Sequence, residues 1–130
     1  MGLNERRKIK ELQEVTFPGR VKEIEEICGV AIPYEVDWDS LADDAQGLNF
    51  IDNLSCHRLN MALRSICLDE MGKAAVREGL KLVRLKNAKD KAAMLMTFAN
   101  GVLEMHCAYA LGAEGMFNDN AIREVLEQNL

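Results

Sequence analysis

Four polar side chains, Asn53, His57, Asn60 and Arg64, recur at intervals of four, three and four residues through an otherwise apolar stretch. At 3.6 residues per turn they share one side of a helix. Arg64 supplies a planar fork of donors and His57 a group that titrates near neutrality, a pairing suited to holding an anion or a carboxylate. The plainer reading is a solvent-facing strip on a mostly buried helix, and it is the favoured one. An enzyme, or an anion- or small-molecule-binding domain, centred on His57, Asn60 and Arg64 is the alternative. It needs a pocket that brings His106 or Glu104 to the stripe.

Cys56–His57 and His106–Cys107 invite a nucleophile reading. Neighbouring residues diverge by about 100° on a helix and point to opposite faces on a strand, so neither pair can form its own dyad. A cross-pair such as Cys56 with His106 depends on the fold. Two histidines and four cysteines without close spacing make a poor metal set, and no cofactor is expected. Glu35, Asp37, Asp39, Asp43 and Asp44 lack the spacing of a calcium loop and read as a solvated strand edge and helix start. No phosphate-binding loop, dinucleotide fingerprint, nucleophile elbow or zinc-protease motif occurs. Trp38 with Tyr34 and Val36 could line a small pocket against a helix, although a lone inward Trp is ordinarily core.

Composition narrows the field. A net charge of −5 opposes non-specific nucleic-acid binding. The charged N-terminal stretch does not resemble a signal peptide, and no uninterrupted apolar run suggests a membrane span. Cys28, Cys56, Cys67 and Cys107 each lie in apolar surroundings with no CxxC pair, so four buried free thiols in a reducing, cytoplasmic setting are expected. With 130 residues, 48% of them hydrophobic, one domain can bury a core.

The elements that would position these groups follow in order. Residues 3–14 read as a charged, peripheral helix, and Pro18 interrupts it and opens a second helix carrying Val21, Ile24, Ile27 and Cys28 to a stop at Gly29. Residues 30–38 alternate as a strand, with Pro33 marking an edge. Ser40 and Asp43 suggest a capping box ahead of a long central helix over residues 48–70, which Gly72 ends; a short helical piece follows over 73–79. On that helix Phe50, Leu54, Met61 and Leu68 form one apolar side, and Leu48, Leu59, Leu63 and Ile66 another. Residues 80–87 read as a strand, and Asn118 or Asp119 caps a last helix with Ile122, Val125 and Leu126 inward.

Asn100–Gly101 between alternating apolar residues is a two-residue hairpin signal, because both central positions need positive φ. It pairs Phe98 with Leu103, Met96 with Met105 and Met94 with Cys107 on one face, and Thr97 with Glu104 and Leu95 with His106 on the other. The fold class predicted is α+β. A roughly four-stranded, mostly antiparallel sheet (strands near 30–38, 80–87, 92–99 and 102–110, the last three a meander) packs on the central helix with flanking helices. The alternative is a mostly α fold in which 88–111 form one helix.

The hairpin's outer face is poor in charge. Ala92, Ala93, Leu95, Met96, Thr97, Ala99 and Val102 sit where an exposed strand normally carries lysine or glutamate, so both faces call for cover. This predicts a non-enzymatic, self-associating protein, a homodimer or larger assembly that also has room for another protein chain. An interface engineered onto a natural scaffold would give the same signature.

Overall fold

The computed structural model describes residues 2–130; Met1 lies outside them. The chain is an α+β domain. Helical segments α1 (Leu3–Glu11) and α2 (Phe17–Cys28) precede the short strand β1 (Tyr34–Val36). Then come α3 (Ala45–Phe50), α4 (His57–Ile66) and α5 (Glu70–Gly79), followed by β2 (Leu82–Asn87), β3 (Leu95–Ala99), β4 (Val102–Cys107) and α6 (Asp119–Asn129).

Pro18 does not break the first helix. A π-helical turn, Leu12–Thr16, joins α1 to α2 without a gap, and the Phe17 N–H donates to the Leu12 carbonyl five residues back. The widened turn accommodates a residue that lacks an N–H and would crowd the preceding turn. Leu12 is buried and Ile9 packs on the core, so the charged N-terminal helix finds cover within its own chain. Gly29, with φ of 79°, ends α2 as expected.

A second π-helical turn, Ile51–Cys56, joins α3 to α4 into the central helix. Of its two apolar sides, Leu48, Leu59 and Leu63 are fully buried, whereas Met61 and Leu68 are exposed. The helix starts later in the cap than Ser40–Asp43 suggested: Asp44 accepts the Gly47 N–H and opens α3. It also ends earlier, at Ile66. Gly72 lies inside α5, where the Asp69 side chain caps its N–H.

The sheet order is β1-β2-β4-β3. The hairpin forms through Asn100 (φ 54°) and Gly101 (φ 81°), with Phe98 opposite Leu103, Met96 opposite Met105, Thr97 opposite Glu104 and Leu95 opposite His106. The pairing begins at Leu95, so Met94 and Cys107 are not partners. The meander is incorrect. β2 runs parallel to both β1 and β4, and β3 sits on the far edge, making the sheet mixed rather than mostly antiparallel. Residues 88–94 are too long for a tight hairpin turn, and they carry the chain past β4 to the edge. Strand β1 keeps only the three central residues of 30–38, although alternation persists: Ile32 is buried, Tyr34, Val36 and Trp38 half-buried, and Ala31, Pro33, Glu35 and Asp37 exposed.

Helices cover one face of the sheet only. Val83, Leu85, Leu103, Met105 and Cys107 turn into the core against Leu59, Leu63, Ile122 and Leu126. Asn118 caps α6 by accepting the Ala121 N–H, which sets Ile122 and Leu126 inward. Among the described residues no helix is long and apolar enough to cross a membrane.

Candidate functional site

The polar stripe of the central helix divides. Asn53, His57 and Arg64 are exposed, and the Asn53 amide donates to the Asn49 carbonyl of its own helix. Asn60 is fully buried and donates to Glu23 of α2 at 2.9 Å. Its neighbours there are a group that helical spacing could not assemble. Arg20 of α2 donates through Nε to Asp52 Oδ1 at 2.7 Å and through Nη2 to Oδ2 at 3.3 Å, and it also reaches Glu23. The Asp52 carboxylate, more than any other group, holds the Arg20 guanidinium in its charged form. Arg20, Glu23, Asp52 and Asn60 thus form a network between α2 and the central helix, where side chains of opposite charge satisfy one another. Arg58 is a second residue that spacing did not single out. It donates at 3.4 Å to the carbonyls of Ala113, Met116 and Phe117, fastening the segment before α6.

Neither adjacent Cys–His pair forms a dyad. Cys56 is buried beside Tyr34, and desolvation drives both acids far up from their usual range. His57, next in sequence, faces solvent. Cys107 points into the core, with its thiol pushed up to about 11 by burial, while His106 points out of the opposite sheet face. Cys56 and His106 therefore lie on opposite sides of the sheet, and neither Glu104 nor His106 meets the stripe.

The acidic residues after β1 serve as local caps. Asp37 accepts the Ser40 N–H, and Asp44 accepts both the Gly47 N–H and the Asn87 amide at 3.0 Å. No group of three or more acidic, histidine or cysteine side chains is placed to hold a metal ion among the described residues. Trp38 packs in an aromatic cluster. Phe17 stacks on Tyr34 with centroids 5.2 Å apart and meets Trp38 at 5.6 Å, and the shallow groove beside them runs along α2, not along the central helix.

The sheet's open face has two zones. Across its middle Arg84 donates to Glu35 at 2.9 Å and to Glu104 at 3.2 Å, while Glu104 meets His106 Nε2 at 2.6 Å. His106, then Arg84, holds the Glu104 carboxyl below its usual range. Glu35 and Arg84 are the more exposed members and Glu104 and His106 are half-buried, and the four side chains pair among themselves across the sheet surface. The second zone is β3 with the turn before it and the first residue of β4. Ala92, Ala93, Leu95, Thr97 and Ala99 are exposed, Leu95 by 45%, and Met96 and Val102 are half-exposed. A two-residue hairpin makes the flanking pair Ala99–Val102 exchange both backbone bonds, so alternate residues, Thr97 and Leu95, also face β4. The backbone groups of Met96 and Phe98 are then directed outward from the sheet edge.

Larger exposed apolar side chains lie elsewhere. Leu68 (85% exposed) stands on the turn between α4 and α5, and Met71 (83%) in the first turn of α5, beside Ile66, Ala75 and Leu130. Sequence periodicity counted Leu68 as core because it extended the central helix past Ile66. In comparisons with known protein families, curated proteins and solved structures, the chain matches none.

Proposed function

We propose that the protein acts by self-association, with β3 of one copy pairing along β3 of another and no chemistry of its own. The observation that carries this reading is the nature of that edge: Leu95–Ala99 contains no charged residue and no proline. Sheet edges in monomeric proteins are normally blunted by lysine, proline, a bulge or a covering element, because their free N–H and C=O groups template pairing. A two-fold antiparallel pairing would satisfy the outward groups of Met96 and Phe98 and extend both sheets into one. It would also cover Leu95, Thr97 and Ala99 on the open face and the half-exposed edges of Met96 and Phe98 on the other. Ala92, Ala93 and Val102 would lie at the margin of this contact. The exposed pair Leu68 and Met71 offers apolar area without backbone groups to template a partner.

Sedimentation equilibrium at several concentrations tests the reading. Thr97→Lys and Leu95→Lys, which place a charge on the edge without removing a core side chain, should reduce the solution mass to that of one chain. Met71→Glu should leave the wild-type assembly intact. A wild-type protein that remains one chain at every concentration, or an assembly lost in Met71→Glu and retained in the β3 variants, would overturn it.

A further inference from the structure

Two helix ends meet in the core at a pair of thiols. Cys28 is the last residue of α2 and Cys67 directly follows α4, and the two lie 39 positions apart in sequence. Gly29, left-handed, turns the chain out of α2, and Cys67 has itself left the helical conformation with φ of −90° and ψ of 21°. Their sulfur atoms approach to 2.8 Å, well inside ordinary contact, and both side chains are buried. Cys56 lies instead against Tyr34, and Cys107 near Tyr109 and Phe117.

We propose that Cys28 and Cys67 are a site of reversible disulfide formation that staples the end of α2 to the end of α4. A disulfide needs its sulfurs about 2.05 Å apart, and residues at helix termini can adjust by one turn without disturbing a whole helix. The charges facing the pair come from α5 and its cap. Lys73 and Arg77 favour the Cys67 thiolate, Asp69 opposes it, and Lys73 also acts on Cys28. Burial raises both thiols. Cys67, 5% exposed against 0% for Cys28, adjoins the exposed turn at Leu68 and Asp69, which makes it the first of the two thiols that a reagent meets.

The step uses a small-molecule disulfide such as glutathione disulfide as oxidant. The Cys67 thiolate attacks one sulfur of the reagent; a Cys67–glutathione bond forms, and the first glutathione leaves and takes up a proton. The Cys28 thiol then loses its proton and attacks Cys67 Sγ, forming the Cys28–Cys67 bond and expelling the second glutathione. Two protein thiols are oxidised and one disulfide is reduced to two thiols. This inference is independent of self-association.

The test incubates the folded wild-type protein with glutathione redox buffers, alkylates the remaining thiols after denaturation, and maps the cross-linked peptides by mass spectrometry. The expected product has lost two hydrogens and joins Cys28 to Cys67. Cys56 and Cys107 are alkylated, dithiothreitol reverses the change, and the melting temperature rises by roughly 10 °C, as closure of a loop of this length implies. Cys28→Ala and Cys67→Ala should each abolish the loss of two hydrogens; Cys56 and Cys107 stay reduced in both, and Cys28→Ala leaves Cys67 as the glutathione mixed disulfide. In the wild-type protein, four alkylated thiols in oxidising buffer, glutathione adducts alone, or a bond joining any other pair would overturn the proposal, whether or not the variants fold.

Discussion

Arg20 and Asp52 are each less than one-fifth exposed at the side chain, so their two hydrogen bonds operate where water screens poorly. Removing one partner leaves the other charge with its desolvation uncompensated, which costs more than the pair itself contributes. Arg20→Ala should therefore lower stability by about 2 kcal/mol in urea denaturation, and adding Asp52→Asn should restore part of that loss. A full additive penalty in the double variant would show that the two residues do not act on each other. Sequence patterning carries no sign of this network, because 32 positions separate Arg20 from Asp52 and neither spacing nor composition links them. The stripe of Asn53, His57, Asn60 and Arg64 was legible as a helical face. Its division was not, because burial of Asn60 depends on where α2 crosses and on Glu23 being there to accept its amide.

Between elements, the close junction of α4 and α5 rests on Gly72. A β-carbon at that position would come within 1.7 Å of the Ile66 carbonyl oxygen. Elsewhere in a helix, replacing glycine by alanine stabilises by up to about 1 kcal/mol. Here the obstacle is backbone, so Gly72→Ala should destabilise by about 2 kcal/mol or more, read as a lower denaturation midpoint. A stabilised variant would mean that the turn at residues 67–69 opens easily. Helix propensity misplaces this glycine as a terminator because its role is close approach to another turn, which periodicity does not encode. The same limit explains the π-helical turns at Leu12–Thr16 and Ile51–Cys56. The hairpin, by contrast, was readable down to its register, since an Asn-Gly turn and period-two alternation both act over a few residues. The order of strands was not, because pairing β2 with β4 or with β3 satisfies the same alternation, and only the length of the 88–94 connection distinguishes them.

At the scale of the molecule, the exposed surface is 6979 Å², close to the roughly 6,900 Å² expected of a compact monomer of 14.6 kDa. One copy therefore already buries what a chain of this size ordinarily buries, and the proposed assembly through β3 would join chains that are folded beforehand. The proposed contact, built around five-residue edges, would also be small, at the lower end of specific interfaces, where association is transient. Dilution should separate the wild-type chains while the helical circular dichroism stays constant. The melting temperature should be the same for wild type and Thr97→Lys at low concentration, and diverge only where wild type associates, since binding stabilises the folded state by mass action. Parallel loss of helical signal and solution mass on dilution would instead mean that β3 pairing is needed to fold, and that the core of one copy is insufficient.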